Sequence, residues 1–216
     1  LLPCAKDYKR ISEGDKGLNT GGMGAVSPVP FVNSKYLNKI EKTIIKPTIK
    51  GLKKEKLIYT GFIFFGLIDV NGDPKVIEYN VRLGDPETQV VLPRIESDLV
   101  EILKKINTNE FNSFDLKITN SYCTSVILTS DGYPEKYKIG HQINGLDSFT
   151  EKDLLFHAGT KINQNKIITN GGRVLAVSCY GKNLKESINK AYEKTDKIYF
   201  EGMYFRKDIG TDLIIK

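Results

Sequence analysis

The apolar residues of this chain fall mainly into short segments bounded by glycine, asparagine and proline, a pattern typical of β-strands. Thr60–Val70 and Pro74–Asn80 flank Asn71-Gly72, a dipeptide that favours a two-residue hairpin turn. Farther along, β-branched and apolar residues predict strands at Tyr122–Thr129 and Arg173–Tyr180. The turn therefore predicts antiparallel pairing of the first two segments, and the second half of the chain is rich in strands.

Three other segments repeat their apolar residues every three or four positions, as amphipathic helices do. These segments are Ser34–Lys46, a helix that begins at Ser97, and Asn183–Ile198. Pro47 is expected to end the first helix, because proline lacks the N–H that the next turn needs. Asn183 and Glu186 have the spacing of a capping box at the start of the third helix.

The order of these elements predicts an α+β protein in two parts. Residues 1–110 combine helices with an antiparallel sheet, and residues 111–216 form a smaller, strand-rich part. The polar stretch Asn107–Ser113 marks the predicted boundary between them. For residues 1–30 the pattern predicts only a strand end and a loop.

Composition and charge narrow the classes of function. At 216 residues, 40% of them hydrophobic and 27% charged, the chain is long enough for one large core or two modest ones. No apolar segment approaches the length of a membrane span, and the three separated cysteines are typical of reduced thiols, so we expect a cytoplasmic location and no membrane partner. The net charge of +6 suggests a nucleic-acid-binding module as one alternative. Because acidic residues are interspersed along nearly the whole chain, we expect no nucleic-acid partner.

The strongest chemical signal is a row of polar residues at the end of the second hairpin strand. Because side chains alternate between faces along a strand, Glu78, Asn80 and Arg82 are expected to share one face. Ile77 and Tyr79 are expected to pack on the other face. Carboxylate and amide oxygens are ligands that Mg²⁺ takes, and a guanidinium offers a fixed donor fork for phosphate. An exposed Glu78–Arg82 ion pair is the structural alternative, but the acidic turn Gly84-Asp85-Pro86-Glu87, which follows directly, favours a binding site.

A second signal is the glycine-rich segment at residues 14–24, which has five glycines. Glycine adopts positive φ without steric penalty, and successive N–H groups in such a loop can line an anion site. The segment matches neither the Walker A loop nor the dinucleotide fingerprint. A glycine-rich connector is an equally good reading, so the segment alone does not define a site.

Several strings along the chain carry a family resemblance. They are Asp7–Arg10, Asn19–Ala25, Tyr59–Phe62, Val76–Gln89, Phe156–Thr160, Thr169–Leu175 and Arg206–Gly210. In this order the chain resembles the phosphoribosylamine–glycine ligase family of the ATP-grasp superfamily, over nearly its whole length. The strings Asn-Thr-Gly-Gly-Met-Gly and Gly-Asp-Pro-Glu-Thr-Gln are specific to it. The resemblance implies that residues 1–110 are the C-terminal part of an ATP-grasp domain and that residues 111–216 are a smaller β-rich C-terminal domain.

The resemblance also implies a reaction of de novo purine biosynthesis. The carboxylate of glycine would attack the γ-phosphate of ATP, and 5-phosphoribosylamine would displace phosphate from the resulting glycyl phosphate. The products would be glycinamide ribonucleotide, ADP and phosphate. The implied metal cofactor is Mg²⁺ or Mn²⁺, and ATP is the co-substrate. An N-terminal half with the adenine site and the lid over ATP is expected outside this chain, which would then be inactive alone, while the oligomeric state stays open.

By the same resemblance, Glu78 and Asn80 are metal ligands and Arg82 contacts the acyl phosphate or the transferring phosphate. Lys9 is the second cation expected there, with a surface lysine as the alternative. The substrate-binding residues implied by the resemblance are Asn19, Thr20, Gly21, Gly22, Asp85 and Glu87. The glycine loop is expected to act through backbone N–H groups. For the two acidic residues, capping of the loop and of the following turn is the alternative.

Two other functions remain open at this point. The chain could belong to another ATP-grasp carboxylate–amine ligase that uses a different acid, or to a non-catalytic binding or assembly module that retains the fold. Arg173 and Arg206 could reach a substrate phosphate, but a structural role is the alternative for Arg173, and we assign neither residue to the site.

Overall fold

The computed structural model describes residues 1–106 and 108–214. They divide into a first unit, Leu1–Val29, Asp85–Glu96 and Lys117–Lys216, and a second unit, Pro30–Gly84 and Ser97–Leu116. These units are not continuous in the sequence, whereas the predicted domains, residues 1–110 and 111–216, are. The predicted domain boundary remains a prediction. Asn107, within the predicted boundary, and residues 215 and 216 lie outside the described residues.

In chain order, the strands of the described residues are β1 (Lys6–Asp7), β2 (Arg10–Ser12), β3 (Lys16–Asn19), β4 (Gly24–Ser27), β5 (Phe64–Val70), β6 (Asp73–Asn80), β7 (Tyr122–Ser130), β8 (Leu154–His157), β9 (Thr160–Asn163), β10 (Lys166–Thr169), β11 (Arg173–Gly181) and β12 (Met203–Tyr204). The helices are α1 (Ser34–Ile40), α2 (Lys46–Lys54), α3 (Thr88–Val91), α4 (Leu99–Lys105) and α5 (Leu184–Thr195), with a π-helical segment at Glu41–Ile45 and 3₁₀ turns at Leu92–Arg94, Asn109–Ser113, Leu146–Ser148 and Thr211–Leu213. The mixture of helices with antiparallel sheets confirms the predicted α+β class. None of the described helices combines the length and the apolarity needed to span a bilayer.

The first unit is built on a six-stranded sheet whose main path is β1-β4-β7-β11-β8, with β12 also paired to β7. All of these pairs are antiparallel. Strand β4 enters the sheet beside β7, with Gly24 opposite Val126. The prediction of only a strand end and a loop for residues 1–30 is therefore wrong, because their pairing partner lies far along the chain.

Both faces of this sheet are covered, which explains the nearly continuous apolar sequence of β7 and β11. Val26 packs in a buried cluster with Leu184 and Ile188 of α5. Its neighbour Ala25 packs on the other face, in a cluster with Val90 and Val91 of α3. Alternation along β4 thus places α5 and α3 on opposite faces of the sheet.

In the second unit, β5 and β6 form the predicted antiparallel hairpin. Asn71 and Gly72 have φ of 54° and 80°, and positive φ at both central residues is the requirement of a type I′ turn. The expected packing of Ile77 is wrong, since its side chain is 65% exposed. A two-stranded hairpin has no further strand or sheet of its own to cover that face. Tyr79 is also exposed, although its ring meets that of Phe65 edge to face at 5.4 Å.

The first predicted helix is longer than the sequence suggested. Pro47 does not end it, because the chain passes through the π-helical segment into α2, where Pro47 occupies the first turn. Proline removes one backbone donor, and the π-helical segment before it allows the helical path to continue. The N-cap is Asn33 rather than Ser34, and its Oδ1 accepts a hydrogen bond of 2.9 Å from the Tyr36 N–H.

The predicted cap at the start of α5 is present, but the glutamate returns to the N–H of the residue before the N-cap and not to that of the N-cap itself. The Glu186 N–H donates to Asn183 Oδ1 at 2.9 Å, and the Lys182 N–H donates to Glu186 Oε2 at 2.8 Å. The helix ends at Thr195, three positions before the predicted Ile198. Ile198 is buried in the core cluster around β7 and β11 instead, which is why it continued the apolar pattern of the helix.

Candidate functional site

The end of β6 brings the two predicted metal ligands together. Glu78 and Asn80 project from one face, and Asn80 Nδ2 donates to Glu78 Oε1 at 3.1 Å. Opposite them on β5 lie Gly66 and Phe64. A Cβ on Gly66 would lie 2.8 Å from Glu78 Cγ, so the glycine makes room for the Glu78 side chain. The arrangement presents carboxylate and amide oxygens side by side.

This donor set fits Mg²⁺ or Mn²⁺. Both ions take oxygen ligands, and Mg²⁺ in nucleotide sites is commonly held by one or two protein groups together with waters and phosphate oxygens. Among residues 1–106 and 108–214, no group of three or more histidine, cysteine, aspartate or glutamate side chains is arranged to hold a metal ion. Glu78 and Asn80 are therefore suited to an ion that takes its remaining ligands from substrate and water.

Arg82 lies beyond the strand and not in line with the other two residues. Strand β6 ends at Asn80, and residues 81 and 82 form a bend. The exposed guanidinium donates from Nη1 to the neighbouring Leu83 carbonyl at 2.8 Å. The expected row of three residues on one strand is thus reduced to two, because the pairing with β5 stops at Phe64–Asn80.

The glycine loop of the first unit uses its N–H groups internally. The Gly21 N–H donates to Tyr133 Oη at 2.8 Å, and the Gly22 N–H donates to Thr20 Oγ1 at 2.9 Å. Thr20 in turn donates from its N–H and from its hydroxyl to the Lys9 carbonyl, both at 2.8 Å. These N–H groups thus have partners within the first unit, and the expected contact of the loop with substrate remains a prediction. Asn19, at the end of β3, is exposed.

Gly22 packs directly against the acidic turn. Its φ is +113°, and a Cβ at this position would lie 2.2 Å from Pro86 Cδ and 2.8 Å from Asp7 Oδ1. Only glycine satisfies both the backbone conformation and the close approach. The loop and the turn, which the sequence identified separately, are thus one assembly within the first unit.

Arg173, at the start of β11, holds the turn and the loop together. Its Nη1 donates to Asp85 Oδ1 at 3.1 Å and to the Gly21 carbonyl at 2.8 Å, and its Nη2 donates to Asp85 Oδ2 at 2.7 Å. A bidentate pair between arginine and a carboxylate fixes both side chains in orientation. The sequence analysis named Arg173 only as a residue that could reach a substrate phosphate or be structural, because its partners here are distant in the chain.

A second group of charges lies beside this assembly. The Lys9 Nζ is 2.9 Å from Asp7 Oδ2, and the Asp7 side chain is only 9% exposed. The Lys9 ammonium and the Tyr8 backbone N–H both stabilise the ionised form of Asp7, against the effect of its burial. Glu87, the N-terminal flanking residue of α3, is also buried.

Burial governs the protonation of both acids. It raises the pKa of Glu87 to about 7, and the Asp7 carboxylate is the next contribution in the same direction. Burial likewise raises the pKa of Asp7, although the Lys9 ammonium opposes the shift. Raised values of this kind in neighbouring carboxyl groups are common at functional sites.

Arg206 does not line an accessible site. It is buried, and its guanidinium donates to Asp208 and Asp15 at 2.7–2.8 Å. Its Nη1 also donates to the Arg10 carbonyl at 3.0 Å. With these partners Arg206 ties the C-terminal segment to β2, which is a structural role.

The predicted site residues thus form two groups. Glu78, Asn80 and Arg82 belong to the second unit, and the others belong to the first unit: Lys9, Asn19, Thr20, Gly21, Gly22, Asp85 and Glu87. Within the first unit, the structure adds Asp7 to these residues, and it places Arg173, which the sequence analysis left unassigned, against Asp85. Their roles in chemistry remain predictions.

Comparison with known proteins gives a consistent assignment. The model described as phosphoribosylglycinamide synthetase, ATP-grasp (A) domain, matches residues 1–88, and the model for the C domain of the same synthetase matches residues 123–212. Phosphoribosylamine–glycine ligase of Caldanaerobacter subterraneus is 43% identical over 97% of this chain and 50% of its own length. A bifunctional purine biosynthetic protein of Pichia angusta is 46% identical over 97% of this chain and 27% of its own length.

A solved structure agrees. The crystal structure of phosphoribosylamine–glycine ligase from Thermotoga maritima covers 96% of this chain with a TM-score of 0.83 and 37% identity, and 51% of that chain is covered. The present chain spans about half the length of the ligase relatives it matches. Both domain models, the relatives and the fold point the same way, and the chain belongs to the phosphoribosylglycinamide synthetase family.

Proposed function

We propose that this chain is part of a phosphoribosylamine–glycine ligase of de novo purine biosynthesis, located in the cytoplasm. The enzyme would join glycine to 5-phosphoribosylamine at the expense of ATP, through glycyl phosphate, and release glycinamide ribonucleotide, ADP and phosphate. The observation that carries the proposal is the match of both domains of one synthetase family, in order, along this chain.

The residues of the second unit support the phosphoryl-transfer step. Glu78 and Asn80 would hold Mg²⁺ or Mn²⁺, and such an ion neutralises charge on the phosphates of ATP when bound. Arg82 is exposed, and its guanidinium would orient the transferring phosphate or the acyl phosphate. Catalysis of this kind depends mainly on positioning and on charge stabilisation.

The residues of the first unit support substrate binding. Lys9 would be the second cation at the acyl phosphate. Asp85 and Glu87 would contact the ribose hydroxyls or the amine, while Asn19, Thr20, Gly21 and Gly22 would shape the pocket for glycine or the phosphoribosyl group. Because the loop N–H groups are occupied, this contact would come from the Asn19 side chain and from the loop carbonyls. The remaining half of the enzyme, with the adenine site and the lid, would be the necessary partner of this chain.

The proposal is tested by phosphate release from Mg-ATP, measured with the complete polypeptide that contains this chain. Release is expected only when glycine and freshly generated 5-phosphoribosylamine are both present. Release with another carboxylic acid in place of glycine would indicate a different ATP-grasp carboxylate–amine ligase. No release with either would favour a non-catalytic binding or assembly module. This chain alone is expected to release no phosphate.

A further inference from the structure

Two buried carboxyl groups of the first unit, Asp7 and Glu87, have no role in the phosphoryl transfer described above. Asp7 pairs across the sheet with Ala25 on β4, and Ala25 packs against Val90 and Val91 of α3. Directly opposite residues of an antiparallel pair project to the same face. The Asp7 side chain therefore lies on the face that α3 covers, and Glu87 lies at the start of that helix.

Gly22 lies between Asp7 and the turn that carries Glu87. The position that a Gly22 Cβ would occupy is 2.8 Å from Asp7 Oδ1 and 2.2 Å from Pro86 Cδ. Pro86 directly precedes Glu87 in the chain. Asp7 and the turn that carries Glu87 thus share a single glycine as their neighbour. The absence of a Cβ on Gly22 makes the close approach of Asp7 and this turn possible.

The carboxylates at and around Asp7 and Glu87 outnumber the cations by one. The groups that face it are Lys9 beside Asp7, Asp85 on the same turn as Glu87, and Arg173 from β11. Arg173 is committed to Asp85 through two hydrogen bonds, so Lys9 is the cation that balances the buried acids. Two buried carboxylates beside one ammonium retain a proton more readily than exposed ones do.

We propose that Asp7 and Glu87 form the proton-accepting pair for the amine that attacks the acyl phosphate, with Glu87 as the acceptor and Asp7 as its positioning residue. This inference rests on the proposed function. The amine nitrogen forms a bond to the acyl carbon, and the bond from that carbon to the phosphate oxygen breaks, with its electrons leaving on phosphate. The proton lost by the nitrogen goes to the Glu87 carboxylate and then to solvent. Asp7 and Lys9 hold Glu87 in place and set the pH at which it accepts.

Proton transfer from the attacking amine suits a buried carboxyl group such as that of Glu87. A general base works best when its pKa lies near the operating pH. The burial of Glu87 and the charge of Asp7 place the pKa of Glu87 at about 7. An exposed glutamate is a weaker base, because its pKa lies well below neutrality.

The test separates the two half-reactions in the complete polypeptide. Positional isotope exchange in ATP with glycine alone reports formation of the acyl phosphate, which needs no proton acceptor for an amine. Amide formation with 5-phosphoribosylamine, followed as a function of pH, reports the second step. Glu87→Gln is expected to lose amide formation by about 100-fold or more while isotope exchange persists.

Asp7→Asn provides the second variant, which keeps the size of the side chain and removes its charge. The inflection in the pH profile of amide formation is expected to move to lower pH, because the negative neighbour that raises the pKa of Glu87 is gone. The matched control is Glu151→Gln, an exposed acid outside the site, which should leave both half-reactions and the profile unchanged.

Three outcomes would overturn the inference. Amide formation by Glu87→Gln at nearly the wild-type rate would exclude Glu87 as the acceptor. An unshifted inflection in Asp7→Asn would show that Asp7 has only a structural role, and this readout remains valid if Glu87→Gln fails to fold. Absence of both isotope exchange and amide formation in the wild-type polypeptide would remove the proposed function and this inference together.

Discussion

Arg173 and Asp85 form a two-pronged ion pair, with Nη1 3.1 Å from Oδ1 and Nη2 2.7 Å from Oδ2. The same guanidinium donates to the Gly21 carbonyl at 2.8 Å. One side chain thus joins the start of β11, the turn before α3 and the glycine loop. These three segments are far apart in the sequence, and the pair explains how they form one assembly.

This geometry predicts a measurable coupling between the two residues. In a double-mutant cycle of Arg173→Ala and Asp85→Ala, we expect a coupling of about 1 kcal/mol in the free energy of unfolding. The value is modest because the side chains are 22% and 47% exposed and solvent screens the charges. Urea unfolding of the wild type, the single variants and the double variant measures it.

The exposed pair Lys104–Glu101 on α4 serves as the matched control, since it joins positions three residues apart on one helix. Its coupling is expected to be much smaller. Equal coupling for the two pairs would contradict the view that Arg173 organises the site.

Gly22→Ala is expected to destabilise the protein strongly. The methyl group meets Pro86 Cδ at 2.2 Å, and φ of +113° is unfavourable for alanine. Together we expect a loss of about 2–5 kcal/mol in the free energy of unfolding. Gly72→Ala is the control, because φ there is +80° but no atom lies within 4 Å of the added Cβ. It should cost only about 1 kcal/mol. Similar losses in the two variants would show that the contact with Pro86 contributes nothing.

The burial of Glu87 predicts a pH-dependent stability. The pKa of this carboxyl is raised from 4.5 to about 7, so between these values the unfolded chain loses a proton that the folded protein keeps. The free energy of unfolding therefore falls as pH rises through this window, with a slope from this group of at most about 1.4 kcal/mol per pH unit. Below the window the contribution of the group is fully present, and above it the slope disappears.

The glutamine of Glu87→Gln cannot ionise, so the free energy of unfolding of this variant should depend less on pH between 4.5 and about 7. Urea unfolding at several pH values, with Glu151→Gln as the exposed control, measures the difference. Parallel curves for the wild type and Glu87→Gln would mean that Glu87 is ionised as easily in the folded protein as in the unfolded chain.

Local patterns in the sequence predicted the local structure well. The β5–β6 hairpin follows from Asn71-Gly72, and the start of α5 follows from Asn183 and Glu186, because each depends on residues only a few positions apart. The neighbouring positions of Glu78 and Asn80 follow from strand alternation in the same way. Pro47 misled the prediction, since a π-helical segment before it allows the helix to continue.

Contacts between segments that are distant in the chain could not be predicted from hydrophobic periodicity or turn signals. The pairing of β4 with β7 and the burial of Asp7 depend on residues that neither periodicity nor turn signals connect. For Arg82 a local pattern was applied too far. The alternation of side chains along a strand was assumed to continue to Arg82, but the pairing of β6 with β5 stops at Asn80. The family resemblance is confirmed by the matches to two domain models of one synthetase, but the contacts of Arg173 became visible only in three dimensions.

The most direct test of the account compares phosphate release by the complete polypeptide with that of its Glu78→Ala variant, in the presence of Mg-ATP, glycine and 5-phosphoribosylamine. Loss of the carboxylate oxygens beside Asn80 should reduce release by about 100-fold or more, because charge at the transferring phosphate is then poorly stabilised. Glu101→Ala, an exposed acid on α4, is the control and should retain full release. Release by Glu78→Ala at the wild-type rate would contradict the account, and phosphoryl transfer would then not depend on the end of β6.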